Sequence, residues 1–254
     1  MLVNYGTVED GAAAPPSRTL MRLWTPADMV LGLVVITAGT GLLVLVLSLA
    51  LVLSGSAAEE SEGARLAAAV AAIAVEGMLG LWVLFRRRAR GLTWAALGFV
   101  APQRWGPLWV AWAGSYLILI GYTGLLALLE ALGLDVSSFS QGNTVPIDPT
   151  DGSAVLLLLA LGVVGLAPVC EELFFRALLF RGMRGYWSLT PALLASGLIF
   201  GLFHFNIGVL LPFTLIGIVF AWSNEQSGSI YTSIAAHGAV NSLSFALTAA
   251  GFGP

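Results

Sequence analysis

Apolar positions in this chain gather into blocks of about 20 residues, the length an α-helix needs to cross a bilayer. Short polar or charged stretches separate them. The pattern predicts seven spanning helices, at about 29–53, 64–85, 107–129, 154–180, 190–206, 208–223 and 229–250. The punctuation agrees with them. Gly55 to Gly63 is acidic, Arg86-Arg87-Arg88 with Arg90 is basic, and 130–153 is polar with Pro146 and Pro149. The expected fold is therefore all-α: a polytopic transmembrane helix bundle of about seven spans around an intramembrane polar cavity. Its parts are a flexible cytoplasmic tail over 1–28, N-terminal transmembrane helices over 29–150, and a catalytic transmembrane core over 151–254. The first apolar run is too long for a signal-peptide core of about 7–15 residues and is kept as a span.

Composition strengthens the membrane assignment. The chain of 254 residues is 58% hydrophobic and only 10% charged, with a mean hydropathy of +0.91. All eleven basic residues are arginine. They are too few, and too plainly at helix ends, to suit nucleic acid. Arg18, Arg22, Arg86 to Arg90, Arg104, Arg181 and Arg184 all fall on one side of the seven-span topology, as the positive-inside rule asks. That puts the N-terminus in the cytoplasm of a multi-pass cell-membrane protein. The net charge of −3 carries little, because orientation follows arginine and lysine placement. The single cysteine, Cys170, excludes an intrachain disulfide and reads as a buried packing residue rather than a nucleophile.

Against this background the ionisable residues at membrane depth stand out, since such groups are costly there and mark function by default. The two histidines, His204 and His237, follow Glu171 at equal thirty-three-residue intervals. One polar group from each of three helices reads as one site. Glu172 and Arg176 are four apart and share a helix face, so they can pair. Glu171 points about 100° away and is left as a free carboxylate in low dielectric, a suitable general base. Gly197 and Gly201 form a small-xxx-small face within a turn of His204, which allows close helix approach. His237 and Asn241 share a face and can hold a water or an oxyanion. The plainer reading of that pair is interhelical hydrogen bonding worth about 1 kcal/mol. Glu76, an acid near the middle of the second span with no obvious local partner, could belong to the same cavity or be protonated and idle, and is left out of this core set. One depth mismatch remains: counting along the fourth and fifth spans leaves Glu171 and His204 roughly 15 Å apart. A kink at Pro168 or shifted helix starts would absorb it.

A water-activating centre accounts for the set. No HExxH signature is present, yet two histidines and a glutamate (Glu171, His204, His237) could supply three ligands to zinc or another divalent metal. Metal-dependent and metal-free hydrolysis are both chemically permitted.

Glu171-Glu172-x-x-x-Arg176, then Phe200-x-x-x-His204, then His237-x-x-x-Asn241 resembles the CPBP family, the CAAX proteases and bacteriocin-processing enzymes also called Abi. The three motifs occur in order across about 155–245. The resemblance implies an intramembrane endopeptidase acting on a peptide or protein substrate among membrane lipids. It assigns Glu171 and His204 to water activation, His237 and Asn241 to the oxyanion or to positioning, and Glu172 with Arg176 to support. Two other classes fit a polar membrane core: a proton-coupled transporter, which would normally show repeat symmetry, and a non-catalytic self-immunity or scaffold protein.

Overall fold

In a computed structural model of the protein, residues 22–53, 62–142, 147 and 151–252 are described. Seven helices follow one another among them: α1 (Pro26–Leu53), α2 (Glu62–Ala89), α3 (Gly106–Ala131), α4 (Ser153–Arg184), α5 (Leu189–Leu202), α6 (Ile207–Ser227) and α7 (Ile230–Ala249). No strand occurs among the described residues. Five of these helices, α1, α2, α3, α4 and α6, are long and apolar enough to cross a membrane. Large apolar side chains such as Leu42, Leu45, Trp109 and Leu117 point outward, which suits lipid and not water. The protein is a multi-pass helical bundle.

Arginines and their partners mark one end of the bundle. Arg86 and Arg90 both pair with Asp28 at the start of α1, Arg184 pairs with Glu225 at 2.8 Å, and Arg104 reaches Gln226 at 2.7 Å. Asp28 also accepts from the Thr25 amide and hydroxyl, both at 2.8 Å. This reciprocal cap, with Pro26 at the first helical position, starts α1 earlier than expected. Trp24 is 1% exposed and its indole N–H donates to the Ala177 carbonyl at 2.6 Å. Residues 22–28 are therefore packed structure, which corrects the tail boundary at residue 28. Residues 1–21 of that predicted tail lie outside the described residues.

α4 is the central rod. It is α-helical at its ends and over Ala167–Glu171, but π-wound over Leu161–Leu166 and Glu172–Phe180. Every residue from Glu172 to Phe180 is buried, with Phe174, Phe175, Leu178, Leu179 and Phe180 forming the main apolar core. α2 runs parallel to α4, in a register set by Ala69 against Val155 and Leu159, Ile73 against Gly162, and Gly80 against Cys170.

α5 resolves the depth mismatch, and with α7 it falls outside the five helices long and apolar enough to cross, which corrects the sequence expectation of seven spans. Its 14 residues reach roughly 21 Å at 1.5 Å per residue, short of the ~30 Å hydrocarbon core. The chain reverses at Phe205, which takes a positive φ of 48°, and Asn206 caps α6 by accepting from the Gly208 amide at 2.8 Å. α5 and α6 pack backbone to backbone through the predicted small-residue face. A Cβ on Gly201 would lie 2.7 Å from the Leu210 carbonyl oxygen.

Candidate active site

The rod supplies a carboxylate pair, and the surrounding helices decide what each can do. Glu172 is 0% exposed. One of its oxygens lies 3.0 Å from Arg176 Nε, and the other is 3.2 Å from His237 Nδ1. A carboxylate can only accept, so His237 Nδ1 carries the proton of this bond and Nε2 is the free ring atom. Ser233, one turn before His237, also faces Glu172. Arg176 is fully buried, with its guanidinium 4.6 Å from the Phe200 ring and 5.5 Å from the Phe220 ring. Glu172, Arg176 and His237 thus form a closed charge group inside an aromatic box. The expected Glu172–Arg176 pair is present.

Glu171 is the carboxylate left over. Its Oε2 is shielded from solvent and has no hydrogen-bond partner. Its electrostatic neighbours are Glu76, Glu172 and Arg176.

His204 sits just past the end of α5. Its Nδ1 is 2.9 Å from the Phe200 carbonyl. A carbonyl cannot donate, so Nδ1 bears the hydrogen and Nε2 presents a lone pair. The ring is braced edge-on by Phe213 at 4.5 Å and Phe200 at 5.0 Å. His237 is also a neighbour of Phe200, at 6.1 Å between ring centroids, and stacks on Phe220 at 5.0 Å. The two histidines therefore share one aromatic neighbour.

Asn241 donates from Nδ2 to the Val163 carbonyl at 2.9 Å. The reason lies in the rod. Ala167 donates to Gly162, five residues back, so in this register the donor due to Val163 is residue 168. That residue is proline, which has no N–H. In lipid the resulting orphan carbonyl must find a partner, and α7 provides it. One of the two Asn241 amide hydrogens is committed to this bond.

Glu171, His204 and His237 do not gather as metal ligands. Among the described residues no three His, Cys, Asp or Glu side chains come together so as to hold an ion. His237 is turned toward Glu172, which is itself claimed by Arg176.

The concavities are also informative. A recess of about 60 Å³ opens between α2 and the first π-wound stretch, lined by Glu76, Ala69, Gly162, Val163 and Ala167, among others. A larger groove of about 670 Å³ between α3 and α7 is lined by Trp109, Trp112, Ala235, Ala239 and Ser242. These α7 positions lie about half a turn from His237 and Asn241, so the groove faces away from the site. Glu76 is the residue sequence reasoning set aside and the structure brings in. Its spacing to Gly80 was the available signal, because Gly80 is where α2 touches Cys170.

Comparison with known proteins bears on these same helices. Residues 153–243 match the family described as type II CAAX prenyl endopeptidase, Rce1-like. This part of the chain is similar to that family. The match spans α4 to most of α7 and includes each of Glu171, Glu172, Arg176, His204, His237 and Asn241. A curated relative, named "Putative membrane peptidase YdiL", from Bacillus subtilis (strain 168), is 28% identical over 131 residues. The alignment covers 45% of this chain and 53% of that protein, so the chain spans about half the length of the curated relative it matches. No solved structure matches.

Proposed function

We propose that this CAAX-protease-like core is an intramembrane endopeptidase that hydrolyses a peptide bond with water activated by Glu171 and His204. The observation that carries the reading is the division of labour between adjacent carboxylates. Glu172 is held by Arg176 and His237, which leaves Glu171 with an unclaimed, shielded oxygen. In the proposed reaction a water is oriented by the His204 Nε2 lone pair and gives its proton to Glu171. The resulting hydroxide attacks the peptide carbonyl. The tetrahedral oxyanion is met by the second amide hydrogen of Asn241 and by the His237 ring. Glu171 then passes its proton to the leaving amine, which closes the cycle with Glu171 ionised again. Every group in this sequence belongs to the chain itself.

The arginine-rich end is assigned to the cytoplasm by the positive-inside rule, which places the N-terminus there. The substrate would be a peptide or protein segment reaching the core from the lipid or from that face.

The test is reconstitution in liposomes with a peptide library, some members prenylated, and mass spectrometry of the products. Glu171→Gln and His204→Ala should each lower turnover by about 10²- to 10⁴-fold, the usual contribution of general acid–base catalysis, with melting behaviour retained. Wild-type cleavage by both variants would refute the mechanism. Cleavage of nothing by the wild type, with partner binding intact, would favour a non-catalytic scaffold.

A further inference from the structure

The outer face of the bundle is not flat between α3 and α7. The groove of about 670 Å³ there has a tall wall and a low one. Leu108, Trp109 and Trp112 rise on α3, whereas α7 offers Ala235 and Ala239, with Leu243 one turn further on. The three α7 residues are spaced by four, so they form one stripe, and all three are exposed. Edge contacts from Trp109 to Trp112 at 6.3 Å and from Trp112 to Tyr116 at 5.6 Å brace the α3 wall. Tyr116 then donates to the Val240 carbonyl at 3.1 Å and ties the two helices together. α3 is long and apolar enough to cross a membrane, so this wall faces lipid.

Depth and chemistry narrow the occupant. Ala235 is the sixth residue of α7 and Leu243 the fourteenth, which puts the stripe roughly 8 to 20 Å below the start of that helix. That reach is about one leaflet of a ~30 Å hydrocarbon core. A peptide lying in lipid needs partners for each backbone N–H and C=O. The groove's one hydroxyl, Ser242, already donates to the Gly238 carbonyl at 2.6 Å, and the other lining side chains are apolar or indole. Such a surface suits a hydrocarbon chain.

A cation stands at the upper end. Arg104 lies two residues before α3 and is exposed. It is held in place by a neutral partner, from Nε to the Gln226 carbonyl at 3.2 Å and from Nη2 to Gln226 Oε1 at 2.7 Å. No carboxylate pairs with it among the described residues, because Glu225, the acid beside Gln226, is taken by Arg184. Trp105, next to it, is 53% exposed, as an indole at a headgroup boundary would be.

We infer that the α3–α7 groove is a binding site for an anionic phospholipid, with one acyl chain along Ala235, Ala239 and Leu243 and the headgroup phosphate on Arg104. The groove faces away from the candidate active site, so this lipid is a bound partner and not the substrate.

The test is native mass spectrometry of the full chain in non-ionic detergent, titrated with dioleoyl phosphatidylglycerol, dioleoyl phosphatidylcholine or sn-glycerol 3-phosphate. The wild type should retain phosphatidylglycerol about fivefold better than phosphatidylcholine, the weight of one arginine near an anionic group. Arg104→Gln should remove that preference and leave phosphatidylcholine retention unchanged. Filling the groove with Ala235→Leu and Ala239→Leu together should weaken both lipids about tenfold, the weight of roughly two methylenes. Glycerol phosphate, which has the head and no chain, should not be retained. Equal retention of the two lipids, a preference that survives Arg104→Gln, or undiminished binding to the filled groove would overturn the inference. Retention of glycerol phosphate would also overturn it, by showing a free-phosphate site, as would a dimer that excludes lipid. If the doubly substituted chain does not fold, the lipid preference and its loss in Arg104→Gln decide. Binding is read without turnover, so the outcome is separate from that of the proposed hydrolysis.

Discussion

Replacing Arg176 with methionine tests the account of the buried charge group most directly. The side chain is 0% exposed and pairs with an equally buried Glu172 at 3.0 Å. Its guanidinium also sits 4.6 Å from Phe200. Methionine preserves most of the volume and leaves the Glu172 charge without its closest partner. Breaking one member of a buried pair costs about 3–5 kcal/mol, because the other charge stays behind. A desolvated cation–π contact adds about 2 kcal/mol at most, partly recovered by a thioether against the same rings. The expected loss is therefore about 3–5 kcal/mol. Replacing both members should cost less than the two single losses together, since neither charge is then left behind unpaired. The assay is reversible denaturant unfolding in micelles of Arg176→Met, Glu172→Gln and the double variant, read as a double-mutant cycle. The reasoning fails if Arg176→Met costs under about 1 kcal/mol, or if the double variant is as unstable as the two single losses added together. Glu172→Gln should also loosen His237, whose Nδ1 it orients at 3.2 Å.

Two further predictions concern packing and ligands. Gly201→Ala would set a Cβ 2.7 Å from the Leu210 carbonyl oxygen and 2.9 Å from the Thr214 amide nitrogen. Both are backbone atoms, so α5 and α6 must separate at a cost of about 1–3 kcal/mol. Gly121→Ala on α3, with nothing near its Cβ, should leave thermal unfolding unchanged, and equal effects for the two would contradict the close contact. Chelation should leave cleavage by reconstituted protein intact, because Glu171, His204 and His237 do not gather as ligands. Loss of activity restored by added zinc would show that the site rearranges to bind an ion.

The sequence showed the number and order of the helices well, because lipid imposes length and hydropathy so strongly that blocks of apolar residues are nearly a map. It also singled out Glu172 and Arg176 as partners, since four-residue spacing on a helix leaves little choice. What it hid has physical reasons. The short reach of α5 depends on the reversal at Phe205, a non-glycine at positive φ, and no local residue type announces it. The π-wound stretches of α4 have no spacing signature in a run as uniformly apolar as Leu156 to Leu166. Trp24 and Asp28 were read as tail because they precede the apolar block. Thr25-x-x-Asp28 with Pro26 was nonetheless a legible helix start. Glu76 was passed over because an acid without a local partner becomes meaningful only once the neighbouring helix is known.

The irregular winding of α4 also explains how the site is held. Inside lipid, a helix that departs from the regular ladder is tolerated only where other protein groups meet its carbonyls. Here the donors come from three separate parts of the chain. Trp24, before α1, serves Ala177 at 2.6 Å, Ser196 of α5 reaches Phe175 at 3.5 Å, and Asn241 of α7 serves Val163 at 2.9 Å. These contacts bracket Glu171 and Glu172 along the rod. A regular α4 would still lack the Pro168 N–H, and its carbonyls would no longer be offered in the register that Trp24 and Asn241 meet. Wide winding at functional positions is a recurrent device. In this chain it binds α4 to the helices that carry the histidine and amide groups, so the placement of the carboxylates and the cohesion of the bundle depend on the same few carbonyls.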